Sequence, residues 1–484
     1  MSSHSRLFVT ADSVEITMTL ADVLPAEEHT AFQSSLHQFG RRSIRLRPDR
    51  ADVDLPFETT IVPWFSGGRF LVDSDIRPSA FLNYAVADYY IQDAASMLPL
   101  NLLNLQPGDI VCDLCAAPGG KASAIAELLG QDGFLLANEP VRSRLDILKY
   151  ALAKTGVPNH AVCSYDPDEL ASRLPGQFDA VLVDAPCSGQ TLVGRNKRDE
   201  NAFAENQIEH CALRQKRILR AAMRLLKSTG RIVYSTCTFA VEENEAQIQW
   251  LLEEYPNALV PIEPQELQAW RSPMLSGCYR VWPHRDHCAG GFAAGLQLTQ
   301  EIDHEPHPSE VKGSQFKGKT KSKAVAEGRS SKVNQQQAKQ KMEQGMALLN
   351  SLGNLQDVKL DWESGMAFGL TPHSHQNISR FRSITAQSLS LMVETGNHWI
   401  PSHGLGLLLE RYFASIQSQH LTVGQATDFL NGKILTDSEC VAAMQAGWVL
   451  AKWDGKPLGW MKGAANRFNN HLPPWARWNS TGSY

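Results

Sequence analysis

Through the middle of the chain, short apolar runs alternate with longer stretches of helical character. The runs at residues 110–114, 134–137, 180–183 and 231–234 are rich in aliphatic and β-branched side chains, and a shorter one covers 161–163. Between them, residues 121–129, 143–155 and 205–226 predict helices. Strands that are apolar on both sides need cover on both faces, so this alternation predicts a parallel α/β sheet. Ligands of such sheets sit beyond the carboxyl ends of the strands. The residues that follow each run are therefore the functional candidates.

The pattern changes on either side of this region. Upstream, Arg41, Arg42, Arg45 and Arg47 interleave with Ser43, Ile44 and Leu46, and a period of two puts most of the arginines on one strand face. This is either a solvated sheet edge or a nucleic-acid contact. Downstream, residues 312–341 carry eight lysines and Arg329 against the single acid Glu327, in a setting rich in Gly, Ser and Gln. Such a stretch cannot bury enough surface to fold, which predicts a flexible basic linker, either a plain tether or a loose phosphate-binding arm. The chain then divides into an N-terminal α+β region (1–85), a sheet domain (86–298), the linker (299–350) and a C-terminal domain (351–484).

Composition narrows the class. With 484 residues, 43% hydrophobic and 20% charged, and a mean hydropathy of -0.27, the chain is that of a soluble globular protein of several domains. No apolar run approaches the roughly 18 residues of a membrane span. The first ten residues lack the charged start and apolar core of an export signal, and the nine cysteines show no disulfide rhythm. Reduced thiols in a cytoplasm are the expectation. A net charge of -5 does not by itself announce a polyanion binder.

The strand ends carry the chemistry. After the first run stands Asp113-Leu114-Cys115-Ala116-Ala117-Pro118-Gly119-Gly120-Lys121, whose small residues admit a ligand to the backbone and lead into a helix N-terminus. It is neither the spaced glycine pattern of dinucleotide enzymes nor a phosphate loop. Glu139 ends the second strand, where a carboxylate can hold a ribose diol. Two later strands end in Asp184-Ala185-Pro186-Cys187-Ser188-Gly189 and Ser235-Thr236-Cys237-Thr238, so two cysteines emerge toward the ligand crevice. Cys112 and Cys115, like His284 and His287, have zinc-like spacing. Residues three apart in a strand point to opposite faces and Cys115 belongs to the loop, so no metal site is predicted.

DLCAAPGGK, NEPVRSR, DAPCSG and YSTCTFAVEENE together resemble the ordered motifs of the RNA cytosine-C5 methyltransferases, over roughly residues 40–298. The segment Tyr89-Tyr90-Ile91-Gln92-Asp93-Ala94-Ala95-Ser96-Met97 is similar to the family's entry segment, and Gly290-Gly291-Phe292 to its closing strand. Gly447-Trp448-Val449-Leu450, Pro457-Leu458-Gly459-Trp460 and Asn466-Arg467-Phe468-Asn469-Asn470 resemble the PUA-like RNA-binding tail of the bacterial 16S ribosomal RNA methyltransferase F subfamily. The resemblance implies a Rossmann-like sheet binding S-adenosylmethionine, flanked by an RNA-binding N-terminal region and a PUA-like C-terminal domain. It further implies that Cys237 is the nucleophile and Cys187 the thiol that assists release, with Asp184 on the cytosine edge and Lys121 as the supporting cation. The cofactor would lie against Cys115, Ala116, Ala117, Pro118, Gly119, Gly120 and Lys121, with Glu139 on the ribose, Asp166 near the adenine and Asp184 near the methyl-bearing end.

One alternative exchanges the two cysteines, as in DNA methyltransferases that use a Pro-Cys pair. An exocyclic-amine methyltransferase would show an aromatic clamp after Asp184, which is missing, and a silent RNA-binding factor would be expected to have lost a cysteine. The family's usual Glu-Gly after the Pro-Cys motif is replaced by residues 190–198 (QTLVGRNKR), which bears on RNA choice. The expected partner is 16S ribosomal RNA in the small ribosomal subunit, with transfer RNA as the competing substrate, and the chain is expected to act as a monomer. Deleting 351–484 is expected to weaken RNA binding far more than cofactor binding.

Overall fold

The computed structural model describes residues 20–302 and 332–478, apart from 37, 39, 196–199, 364, 380, 382, 397, 409–411, 415, 437–446 and 465. Residues 303–331 of the expected linker and 196–198 of the 190–198 loop therefore lie outside the described residues.

Strands β1 (Ser43–Leu46), β2 (Thr59–Val62), β3 (Phe65–Leu71) and β4 (Tyr89–Ile91) form an antiparallel sheet in the order β2-β3-β1-β4. This corrects the expectation for the basic segment, because β1 lies inside the sheet and Arg45 and Arg47 are only 2% and 3% exposed. Arg45 donates to Gln92 Oε1 and Ser123 Oγ, each at 2.9 Å, and pairs with Glu127. Arg47 meets Asp49 and the Lys154 carbonyl, Arg41 the Leu71 carbonyl and Arg42 the Ile76 carbonyl. A buried guanidinium is tolerated only when its donors are met, and apart from Asp49 the partners of Arg45 and Arg47 are remote in sequence. Arg45 and Arg47 fasten this sheet to the next domain, while Arg41 and Arg42 bond within the N-terminal region.

The central sheet contains β5 (Ile110–Asp113), β6 (Phe134–Asn138), β7 (His160–Cys163), β8 (Phe178–Asp184) and β9 (Leu226–Thr236), parallel and ordered β9-β8-β5-β6-β7. Side chains alternate between two cores: Val111, Leu135 and Leu182 pack on one face, Cys112, Leu136 and Val181 on the other. The order reverses between β5 and β8, which opens the ligand crevice there. Antiparallel β10 (Leu259–Pro261), β11 (Cys278–Val281) and β12 (Gly291–Leu298) complete the β9 side.

The sheet does not stop at β7. Downstream come β13 (Asn354–Leu355), β14 (Lys359–Glu363), β15 (Met366–Leu370), β16 (Gln387–Thr395), β17 (His398–Pro401) and β18 (Phe413–Ala414). β16 pairs antiparallel with β7, Gln387 opposite Val162 and Ser388 opposite Ala161, and β15 and β14 extend the sheet further. The Thr371 amide donates to the Pro158 carbonyl at 2.7 Å and the Thr385 amide to Tyr165 Oη at 2.8 Å. A separate sheet follows, made of β19 (Ser418–His420), β20 (Gly447–Trp453), β21 (Lys456–Ala464) and β22 (Arg467–Asn470), with the helix Val423–Leu430 packed on it. The described part of residues 351–484, expected to be one domain, thus carries two sheets, which share a core in which Leu391 and Trp399 lie with Leu450 and Trp460.

The end of the expected linker is also ordered, as the helix Lys332–Leu352. Met346, Leu349 and Leu352 recur at helical spacing and pack with Trp362 and Trp399, whose Nε1 donates to the Lys341 carbonyl at 2.8 Å. The Gln-rich start of this helix masks that apolar stripe in the sequence. Among the described residues no helix is long and apolar enough to cross a membrane.

Candidate active site

After β5 the chain turns through residues 114–119 into the helix Gly120–Leu129. Gly119 has φ +110°, and a Cβ there would stand 2.5 Å from Ala151 Cβ, so glycine alone lets this helix begin so close to its neighbour. The Ala116 amide donates to the Asn138 carbonyl at 2.9 Å, and the Ala117 amide to Glu139 Oε2 at 3.3 Å. Arg144 bridges the same two elements, donating to Glu139 at 3.3 Å and to the Ala117 carbonyl at 2.6 Å. Glu139 is therefore at the end of β6, as read from the sequence, and is tied to the loop it was expected to serve. Asp166 follows β7, where it caps the helix Pro167–Arg173 and pairs with Arg217 at 2.9 Å. The sequence reading had given it neither partner.

Cys187 and Cys237, at the ends of β8 and β9, stand with their sulfurs 3.0 Å apart. Beside them Lys121 Nζ lies 2.8 Å from Asp184 Oδ2, while Ser235 Oγ donates to Asp184 Oδ1 at 2.8 Å. The hydrogen bond from Cys187, aided by the Lys121 charge, pulls Cys237 below the usual thiol range against burial and Asp184. That same bond, and then burial, push Cys187 well up, which the bond from the Cys237 amide at 3.3 Å does not offset. Of the two thiols, Cys237 is therefore the more readily ionised. Burial opposes the Lys121 charge, but Asp184 prevails and keeps its pKa above the ordinary value. The structure brings Lys121, Asp184, Cys187 and Cys237 into one cluster. Burial and the nearby carboxylates push Cys115 up, so it remains a thiol of the loop.

Two acids of the quoted motifs had been given no role. Asp113 is 1% exposed, and its Oδ2 has no hydrogen-bond partner. Burial, then the charge of Asp184, raise its pKa to about 8. A buried carboxyl oxygen with no protein donor fits a ligand that brings a cationic amine, which S-adenosylmethionine has. Glu243 accepts from the Ser188 amide at 2.9 Å, Ser188 Oγ at 2.5 Å and Gln215 Nε2 at 2.9 Å. Both acids belong to motifs visible in the sequence, but the bonds that Glu243 makes to Ser188 and Gln215, and the burial of Asp113, come from the fold. Of the zinc-like pairs, Cys112 is fully buried and His284 Nε2 lies 2.7 Å from Glu28. Among the described residues no group of three His, Cys, Asp or Glu side chains is placed to hold a metal.

A parallel sheet of this order, with a glycine-turned loop at its switch point and paired thiols on the adjoining strands, fits the methyltransferase class that the motifs resemble. Comparison with known proteins narrows the class. Residues 100–297 match the family described as 16S rRNA methyltransferase RsmB/F, and 418–478 match the methyltransferase RsmF PUA domain. The ribosomal RNA small subunit methyltransferase F of Erwinia tasmaniensis is 34% identical over 326 residues, 64% of this chain and 67% of that protein. Its counterpart in Cronobacter sakazakii is 33% identical over 285 residues, 56% and 59% respectively. The chain thus spans about three fifths to two thirds of the length of these relatives. Among solved structures, PH0851 is similar with a TM-score of 0.50 and 27% identity, over 56% of this chain and 63% of that one. NSun6 from Pyrococcus horikoshii with the S-adenosylmethionine analogue SFG shares the fold at a TM-score of 0.50 and 19% identity, over 58% and 97%. The chain belongs to the 16S rRNA methyltransferase RsmB/F family, whose methyl donor is S-adenosylmethionine.

Proposed function

We propose that this chain methylates carbon 5 of one cytosine in 16S ribosomal RNA, as a cytoplasmic monomer acting on the small ribosomal subunit. The observation that carries the chemistry is the 3.0 Å thiol pair beside the Lys121–Asp184 ion pair. S-adenosylmethionine supplies an electrophilic methyl group. The loop from Cys115 through Ala116, Ala117, Pro118, Gly119 and Gly120 to Lys121 would hold it, with Glu139 on the ribose, Asp166 toward the adenine and Asp184 toward the methyl-bearing end.

Cytosine carbon 5 is too weak a nucleophile unaided. The Cys237 thiolate adds to carbon 6, and the electrons of the 5,6 double bond move to carbon 5, which takes the methyl group. Asp184, partly exposed, meets the N3 and N4 edge, and Lys121 balances the charge that gathers in the ring. Loss of the carbon 5 proton restores the double bond and expels the Cys237 sulfur. Cys187 stands beside the sulfur–carbon bond that must break. The target base must leave its stack to reach Cys237, so unpaired segments of the assembled 30S particle are favoured over a free duplex. The PUA-like domain and residues 1–85 supply RNA contacts that position without specifying.

Bisulfite sequencing of ribosomal and transfer RNA from a deletion strain tests the substrate. One cytosine signal should vanish from 16S ribosomal RNA. Loss confined to transfer RNA would overturn that target and leave the chemistry standing.

A further inference from the structure

Two loops carry the thiols, and Glu243 lies between them. On the Cys187 side its carboxylate takes two hydrogen bonds from Ser188 and one from Gln215, which also donates to the Pro186 carbonyl at 3.2 Å, and on the Cys237 side the Thr238 side chain bonds to it. Its backbone is anchored on the Cys237 side, where its carbonyl accepts from Tyr234 Oη at 2.6 Å. Further ties run between the loops: Ser188 Oγ to Thr238 Oγ1 at 2.9 Å, the Phe239 amide to Gln190 Oε1 at 2.9 Å and the Thr191 amide to the Cys237 carbonyl at 3.2 Å. The Ser188 N–H and the Gln215 Nε2 can only donate, so these bonds favour an ionised Glu243, although burial prevails over them and keeps its pKa above the usual carboxylate value.

We infer that Glu243 is a positioning residue that sets the Cys187 loop against the Cys237 loop, and so couples release of the methylated base to the attack that precedes it. This rests on the roles given above to the two cysteines. The geometry separates the two steps. Attack is made by Cys237 on a base held by Asp184 and Lys121, whereas release also needs Cys187 kept beside the sulfur–carbon bond. As an anion, Glu243 also opposes ionisation of either thiol. The other charged or titratable groups bearing on the pair are Lys121, Asp184 and Tyr234.

The test compares full-length wild type, Glu243→Gln and Glu243→Asp on an unmodified 16S RNA substrate with S-adenosylmethionine. Covalent protein–RNA adduct is read on denaturing gels, and the single-turnover attack rate is followed against pH. In Glu243→Gln the adduct fraction should rise on the order of tenfold while cofactor affinity by calorimetry is unchanged. Its attack-rate profile should be displaced to lower pH than in wild type, because a nearby negative charge is gone and the Cys237 thiolate forms more readily. Glu243→Asp should restore the wild-type pH profile and part of the turnover. A Glu243→Gln enzyme with wild-type adduct fraction, or one losing attack and release equally with no pH displacement, overturns the inference. A Cys237→Ala control that still forms the adduct would overturn the assignment of the nucleophile instead, and so the two failures are told apart.

Discussion

Cys237 and Cys187 share one hydrogen bond, and their surroundings decide which of them carries the proton. Cys237→Ser should abolish methylation in a tritium-transfer assay with cofactor binding intact, and full activity in that variant would end the covalent mechanism. Cys187→Ala should trap the protein–RNA adduct on denaturing gels. An adduct seen with Cys237→Ala in its place would exchange the two roles. Asp113 gives a stability test that needs no RNA. Its folded pKa is raised to about 8, so the folded state holds a proton that the unfolded chain releases near pH 4. The stabilising effect is complete below about pH 4 and declines until about pH 8. Asp113→Asn should therefore gain stability over wild type as pH rises through that window, reaching a few kcal/mol, on the order of 1.4 kcal/mol per pKa unit. Parallel pH–melting curves for the two proteins would contradict this. The cysteines were legible because they follow apolar strands in turns. Asp113 and Glu243 were not, because their meaning lies in partners, or the lack of one, that only the folded crevice assembles.

At the level of elements, β5, β6, β8 and β9 could be read as apolar runs. β16 could not be assigned its place, since the residues that meet β7, Gln387 and Ser388, are polar and carry no signature of a sheet partner. That pairing changes what truncation should do. Deleting 351–484 is expected from the sequence to weaken RNA binding far more than cofactor binding, but it strips the strand that covers the β7 edge and removes the Thr385 bond to Tyr165, next to Asp166. The shortened protein should melt well below full length and lose affinity for S-adenosylhomocysteine along with RNA. Unchanged calorimetry with S-adenosylhomocysteine would show that β5 to β9 stand alone. The basic segment taught a related lesson. Alternation located β1 correctly as a strand, yet nothing local revealed that Glu127 and Gln92 would bury Arg45.

Across the whole molecule, the C-terminal domain is clamped to the N-terminal region as well as following it in sequence. Asp88, fully buried, takes Arg50 at 2.9 Å, Asn83 at 2.9 Å and Lys456 of β21 at 3.0 Å, while Leu82 and Val86 pack with Leu421 and Phe429. Asp88→Ala removes the buried carboxylate shared by Arg50 and Lys456, Lys456 keeping only the exposed Asp454 at 3.1 Å, and should cost about 3 kcal/mol in urea unfolding, whereas Lys456→Met should cost much less. Equal small losses would mean the joint is held by its apolar contacts alone. The junction between β7 and β16 also sets a timetable for the newborn chain. A ribosome making 5–20 residues per second needs roughly ten to fifty seconds to travel from β7 to the end of β16. Throughout that interval the outer edge of β7 has no strand to cover it, and an uncovered edge invites pairing with another chain. Crowded polysomes, where many copies reach this stage side by side, are where this protein is most exposed to misassembly.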